Sequence, residues 1–435
     1  MKTRALFTLN ALALVLLLCN QTARAQEQDA PKLEIGVQYS SLSFDLPSFG
    51  GTETGVGVGG RITYNLTDYF AVEAEGNLSP STIPSGYVTG GASQQMQFGA
   101  KVGKRWRRFG LFAKARPGFV SFGDTLTPTA STTSQLPFAQ FERERKTHFS
   151  MDVGGVLEFY PSRRMLVRFD AGDTIIRYGE HPELQPIPLG IGLGIAAAPS
   201  EVQHNFQFTA GVGFRFGGGG GNDAGASQSP SRGARVRRFE LGIQFSSLVL
   251  RPPTGGFVFG SFGDAPASAE AGGGLRFGVN ATDNLAFEVE GNFYPRRRFG
   301  IDTAVGGYPA QAQAGVKYGR RFQRFGVFGK ARPGIVSFSS VNEVSGYDAF
   351  PFLNGDVFFV PTFRDTSKTY FSMDLGGVFE FYPSSRILTR FDVGDTIIRY
   401  PTRDNPQGAF NVPPPRLPAE SRHNLQVTAG IGFRF

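Results

Sequence analysis

Cysteine is nearly absent from this chain of 435 residues: its one copy, Cys19, lies in an apolar N-terminal stretch. Everything after that stretch therefore has no disulfide scaffold, no thiolate metal site and no cysteine nucleophile. Histidine is scarce, with 4 copies, and only 18% of side chains are charged. Without Lys2, Arg4 and Arg24 of that N-terminal segment the net charge falls from +8 to +5, too modest to argue for a nucleic-acid partner. Long apolar runs are missing as well, and a mean hydropathy of −0.16 excludes a bundle of membrane helices. What abounds is glycine, with 58 residues, and phenylalanine, with 43. Such glycine content is about twice the usual ~7%. Aromatics spread along the whole chain argue against disorder.

Residues 1–25 stand apart. Lys2 and Arg4 precede an apolar run from Ala11 to Leu18, and Ala23-Arg24-Ala25 precedes Gln26. This reads as a cleaved secretory signal with a small-x-small site. Leu18 is too large for the position before a lipidated cysteine, so no lipid anchor is expected at Cys19.

Compared with itself, the chain repeats. Arg116-Pro117-Gly118 returns at Arg332-Pro333-Gly334, the run Asp173 to Tyr178 returns from Asp395 to Tyr400, His204-Asn205 returns as His423-Asn424, and Gly213 to Phe216 returns as Gly432 to Phe435. Two homologous units span 33–216 and 239–435. Residues 217–238 between them open with five glycines and end in Arg232, Arg235, Arg237 and Arg238, which reads as a flexible linker.

Inside each unit the hydrophobic period is two. Phe70, Val72, Ala74 and Leu78 share one face while Glu73, Glu75 and Asn77 share the other, the alternation of half-buried strands. Eight strands are expected in the first unit, near 33–43, 55–64, 70–78, 94–104, 109–121, 147–160, 165–178 and 204–216, and eight more at matching places in the second. Alternate connections are short (65–69, 105–108, 161–164) and long (44–54, 79–93, 122–146, 179–203). Tight turns at one rim and long loops at the other suit an all-β, antiparallel up-and-down transmembrane barrel.

On these features the chain resembles the small eight-stranded outer-membrane barrels, the group that includes the OmpA-type transmembrane domain, duplicated in tandem. The resemblance covers both units. Its most specific element is the terminal strand of alternating apolar residues, with Phe433 and Phe435, which looks like the signal read by the outer-membrane insertion machinery. Phe216 closes the first unit in the same way. The resemblance implies a place in the cell outer membrane, among outer-membrane lipid and lipopolysaccharide. The chain lacks a peptidoglycan-binding domain, so a wall-tethering role does not carry over.

Strand parity assigns a polar set to the lumen. In the first unit it holds Glu34, Glu73, Glu75, Asp152, Glu158 and Asp170 against Arg61, Lys101, Lys114, Arg116, Arg168 and Arg215. The second repeats every one, as Glu240, Glu288, Glu290, Asp374, Glu380 and Asp392 against Arg276, Lys317, Lys330, Arg332, Arg390 and Arg434. Charges in a narrow barrel are costly unless paired, and eight strands leave room only for side chains. A salt-bridged plug is expected, not an open pore. Glu73 and Glu75 are read as part of this neutralised set rather than as an acid/base pair.

Other signals are weaker. Gly55-x-Gly57-x-x-Gly60 matches a dinucleotide fingerprint in letters, but no helix follows it. Arg296, Arg297 and Arg298 fall in an outer loop that could grip lipopolysaccharide phosphates. Arg105, Arg107, Arg108, Arg163, Arg164, Arg320, Arg321 and Arg324 crowd the short-turn rim, where they could meet anionic headgroups. His204 and His423 open the last strand of each unit, beside Asp173 and Arg177 or Asp395 and Arg399. Since Asp173 has the wrong parity for the lumen after Arg168 and Asp170, a bulge at Gly172, and at Gly394 in the second unit, is expected to turn Asp173 and Arg177 inward.

The sequence thus supports a non-enzymatic outer-membrane protein of two tandem barrels, without cofactor or metal, whose long loops are available to an extracellular ligand. The alternatives are a single sixteen-stranded porin for small solutes and, less favoured, a lipid A-modifying enzyme, which lacks a serine at a common place beside the histidine in both units.

Overall fold

The computed structural model describes residues 31–46, 51–83, 85–129, 140–186, 193–217, 237–254, 257–258, 261–262, 267–296, 304–352, 355–407 and 409–435. The segment read as a signal and most of the linker lie outside them. Every element among the described residues is a strand.

The first unit contributes β1 (Leu33–Leu46), β2 (Gly51–Asn65), β3 (Phe70–Ile83), β4 (Gly91–Arg105), β5 (Phe109–Thr129), β6 (Gln140–Phe159), β7 (Met165–Tyr178), a small hairpin of β8 (His181–Pro186) with β9 (Leu193–Ala198), and β10 (Glu201–Phe216). Each long strand pairs antiparallel with the next, and β10 closes on β1 through Glu34 opposite Arg215. The second unit runs β11 (Phe239–Leu250), β12 (Phe257–Val258), β13 (Ser261–Phe262), β14 (Ser268–Asn280), β15 (Leu285–Phe293), β16 (Pro309–Arg321), β17 (Phe325–Pro351), β18 (Val357–Phe381), β19 (Ile387–Tyr400), β20 (Ala409–Phe410) and β21 (Glu420–Arg434). It closes likewise, β11 on β21, with Glu240 opposite Arg434 and β20 as a short addition to β18. Two closed eight-stranded barrels result. The single sixteen-stranded cylinder is thereby overturned, because each unit spends its first and last strands on each other.

Alternation decides the faces. Along β4, Gln95, Gln97 and Lys101 are buried inside while Met96, Phe98 and Val102 are exposed outside. Inside the first barrel the lumen is stratified along its axis. Ionic side chains fill the half near the short turns. Toward the other mouth come amides, then an apolar stopper of Leu42, Phe44, Ile83, Val88, Val120, Phe122, Ile176 and Tyr178. The second barrel has a matching stopper around Leu248, Tyr294, Phe338 and Tyr400. In both, the connection before the fourth strand dips into the mouth: the His148 ring bonds the Val88 carbonyl at 2.9 Å, and Tyr370 donates to the Ala304 carbonyl at 2.9 Å. The connection re-enters the wall through Gly91 and Gly307, at φ +68° and +64°, where a Cβ would sit within 2.6 Å of Asp124 or Ser340 atoms. Only glycine fits there.

Two expectations are corrected. No bulge exists at Gly172 or Gly394: β7 pairs without interruption with β6 and β10, and β19 with β18 and β21. A Cβ at Gly172 would lie 2.4 Å from the Val153 carbonyl, so this glycine permits close strand approach within a regular ladder. Asp173 and Arg177 consequently face outward. Register shifts among the described residues fall instead between Ser79 and Ile83 on β3, and between Phe122 and Thr125, Phe338 and Val341, and Val344 and Gly346, where β5–β6 and β17–β18 continue past the mouth. The stretch 122–146 is thus largely hairpin, not loop, since a strand leaving the membrane is wet on both faces and loses its alternation.

The barrels pack side by side through outward residues. Phe169 stacks on its repeat equivalent Phe391, with ring centroids 5.6 Å apart and planes at 6°, and Phe208 stacks on Phe245 at 4.0 Å. Ala210 and Ala429 are buried in the same seam. Lipid is as apolar as these side chains, so the seam gains from close packing around small residues rather than from the hydrophobic effect.

Each barrel satisfies its own backbone hydrogen bonds and fills its own lumen. Cleavage at a protease site placed within 217–238 should therefore leave two folded halves, each shifting mobility on heating in semi-native gels; loss of the shift in either half would show that one barrel needs the other.

Candidate functional site

The densest chemistry is the lumen, and its residues come from consecutive strands at inward positions. In the first barrel Arg116 on β5 reaches Glu75 on β3 at 2.5 Å and Asp152 on β6 through two nitrogens, at 3.0 and 2.5 Å. Lys114 sits 2.8 Å from Asp152 and 3.6 Å from Asp170. Arg168 on β7 forks onto Asp170 at 2.6 and 2.8 Å and reaches across the lumen to Glu73 at 2.9 Å. Lys101 contacts Glu158 and lies 3.4 Å from Glu73 and 3.6 Å from Glu34. Arg61 donates to Gln38 at 3.0 Å, and Arg215 lies 3.4 Å from Glu34 and over the Tyr160 ring.

The second barrel reproduces this set. Arg332 bridges Glu290 at 2.5 Å and Asp374 at 2.6 Å, with Lys330 on Asp374 at 2.8 Å. Arg390 holds Asp392 at 2.7 Å and Glu288 at 2.9 Å. Lys317 meets Glu380, Glu288 and Glu240. Arg276 donates to Gln244 at 3.4 Å. All these side chains are buried except Arg434, half-buried over the Tyr382 ring at the short-turn end.

Above the ions lies an amide layer: Gln38 donates to Asn77 at 2.9 Å, Asn77 to Gln95 at 3.0 Å, and Gln95 to Gln207 at 3.0 Å. Such chains polarise one another and rigidify the interior. Among the described residues no cluster of three His, Cys, Asp or Glu side chains placed to ligate one ion occurs.

Several groups sit elsewhere than the sequence reading put them. Arg105 is not a rim cation; it enters the lumen, 3.3 Å from Glu34 and 3.0 Å from the Tyr160 hydroxyl, and Arg321 approaches Glu240 at 3.5 Å. Both share the inward parity of Lys101 and Lys317, a signal the arginine-rich turns obscured. Glu270 is a further buried lumen carboxylate, where the first barrel has Gly55. Arg107, Arg108, Arg163, Arg164, Arg320 and Arg324 are exposed at the rim. Arg296 bonds Thr54 of the first barrel at 2.5 Å instead of reaching into solvent; Arg297 and Arg298 lie outside the described residues. Phe216, Phe433 and Phe435 face outward at the short-turn rim, and Phe435 exchanges backbone hydrogen bonds with Phe239.

Beyond the mouth of the second barrel, Glu343 on the β17–β18 hairpin takes hydrogen bonds from Lys368 and, at 2.7 Å, Arg364; these hold its carboxyl below the usual range.

Arg116 is the hub of the first network. Arg116→Ala should strand Glu75 and Asp152 and cost about 3–5 kcal/mol, lowering the temperature at which the folded band converts on semi-native gels. Arg116→Lys should recover only part, because an ammonium cannot fork between two carboxylates. An unchanged conversion temperature for Arg116→Ala would mean that the lumen is hydrated.

In comparison with known proteins, residues 11–216 match the model of the family described as outer membrane protein beta-barrel domain. Among solved structures, the chain is similar to Neisserial surface protein A (13% identity, 42% of this chain and 97% of that one, TM-score 0.26), to the attachment invasion locus protein Ail of Yersinia pestis (15%, 46% and 99%, 0.24) and to the CymD monoaromatic hydrocarbon channel (8%, 94% and 90%, 0.29). No curated protein sequence matches it. The first barrel thus falls within the match to the outer membrane protein beta-barrel domain family, and the second barrel repeats its closed eight-stranded antiparallel sheet.

Proposed function

We propose that the chain is a non-enzymatic, non-conducting outer-membrane protein whose two barrels hold binding surfaces above the membrane. The observation that carries this reading is the filled lumen. Each barrel is crossed by a buried ionic network, then amides, then an apolar stopper tied to the wall by His148 or Tyr370. A solute would have to break several charge-assisted bonds at once, each stronger than a neutral one.

The outer surface supplies the positive side of the argument. The β17–β18 hairpin, 27 and 25 residues long, far exceeds the 9–11 residues that cross a membrane. Its far part leaves Phe350, Phe352 and Phe363 exposed, and Phe410 of β20, also exposed, packs at 4.7 Å on Phe358 of β18. Exposed aromatics outside the apolar band favour contact with a partner. Export by residues 1–25 and insertion through the strand ending in Phe433 and Phe435 belong to the same reading.

Planar-bilayer recording of the refolded chain tests it. Silence is expected; steady porin-sized steps from the unmodified chain would overturn it.

A further inference from the structure

The outer wall carries one charged constellation that neither fills a lumen nor serves the seam. In the first barrel His204 Nδ1 lies 2.6 Å from Asp173 Oδ2, and the Asn205 amide donates to Asp173 Oδ1 at 3.1 Å. In the second, His423 and Asp395 are 2.5 Å apart, and the Asn424 amide donates to Asp395 at 3.1 Å. These side chains are open to the outside: His204 and His423 are 65% and 64% exposed, Asp173 and Asp395 39% and 42%. The second barrel does not cover them.

Arg177 and Arg399 complete each group. Arg177 is opposite Val202, two residues from His204 on the same face, a diagonal cross-strand neighbour at about 7–8 Å. It is exposed, and among the described residues neither arginine has a carboxylate partner. Apolar wall frames it: Phe149 and Val202, both opposite Arg177, are exposed themselves.

Height decides what this group meets. Arg177 stands about a dozen residues along β7 from the short-turn rim at Met165, which is about 40 Å of strand and about 30 Å of axial height at the usual tilt. The apolar band of such barrels is about 25 Å tall. Arg177 therefore sits at the outer headgroup level, with His204, opposite Ile175, at the edge of the band and Asp173, four residues below Arg177, just within it and held by His204 and the Asn205 amide. A guanidinium, an imidazole with Nε2 free to face outward and a carboxylate fixed beside it present a phosphate donor next to sugar-hydroxyl partners. The run Asp-Thr-Ile-Ile-Arg-Tyr is identical in the two units, while neighbouring wall positions differ: Ala171 against Val393, Phe206 against Leu425, Val202 against Ser421. Ser421, bonded by Arg399 at 3.3 Å, has Val202 as its counterpart, so a hydroxyl nucleophile is no shared part of the group. What both copies share suits binding.

We propose that each barrel carries on its outer wall a docking site for the phosphorylated sugar headgroup of an outer-leaflet lipid, built from Asp173, Arg177 and His204 in the first and Asp395, Arg399 and His423 in the second. This rests on the chain spanning the outer membrane, which the heat-modifiable band reads separately.

Native mass spectrometry of the refolded full chain with bis-phosphorylated lipid A, with the same lipid dephosphorylated, and with inorganic phosphate as competitor tests the site. Two retained phosphorylated lipids per chain are expected; Arg177→Gln should remove one, and Arg177→Gln with Arg399→Gln should lower retention about tenfold per site, while Arg163→Ala at the opposite rim changes nothing. Equal retention in the double variant, or of the dephosphorylated lipid, overturns the proposal. Displacement by millimolar inorganic phosphate would make the ligand the free anion and overturn the lipid assignment.

Discussion

Arg116 and its repeat Arg332, each buried between two carboxylates from different strands, express the constraint on which the rest of the structure depends. An eight-stranded barrel has an interior just wide enough for side chains. A charge placed there must find its partner across that narrow space or unbalance the fold. The lumen is therefore solved as a set. Glu75 needs Arg116, Arg116 needs Asp152, and Asp152 also receives Lys114. Strand order and register follow from the same requirement, because a slip by one residue would drive these ions into lipid and the phenylalanines of the outer wall into the lumen.

The outer end of each lumen is closed by a different material. Phe44 and Phe122 meet edge to face at 5.1 Å in the first barrel, and Tyr370 packs against Tyr400 at 4.8 Å in the second. The first stopper stands above the polar layers, where the end of β3 and the connection after it supply apolar side chains such as Ile83 and Val88, while the second admits one carboxylate, Glu270, opposite Leu248. The seam between the barrels follows a third logic. Phe169 and Phe391 come from equivalent positions, so the two units meet about a local pseudo-twofold relation that a duplication generates without further design.

Much of this was legible in the sequence because the signal has period two. Parity alone put Glu73, Glu75, Arg116 and their repeats on one face, and the repeat pointed to two units of eight strands. Parity failed where its premise failed. Asp173 and Arg177 read as misplaced because an outward charge was taken as excluded, whereas both lie on the outer face of an unbroken ladder. Arg105 read as rim because it stands in an arginine-rich turn, although its parity matched Lys101. Phe44 and Phe122 face the lumen despite being apolar, since above the ionic layers the interior stops being polar. The β5–β6 and β17–β18 extensions were invisible because strands wet on both faces show no alternation.

The central claim is a dry, filled lumen in each barrel. Ser150, fully buried on β6 among the inward residues, offers the most direct probe, with Cys19→Ser as background. In the refolded Ser150→Cys chain, a charged methanethiosulfonate reagent should leave the thiol unlabelled until heat or denaturant opens the barrel. Rapid labelling in the folded band, at the rate of an exposed thiol, would contradict the account.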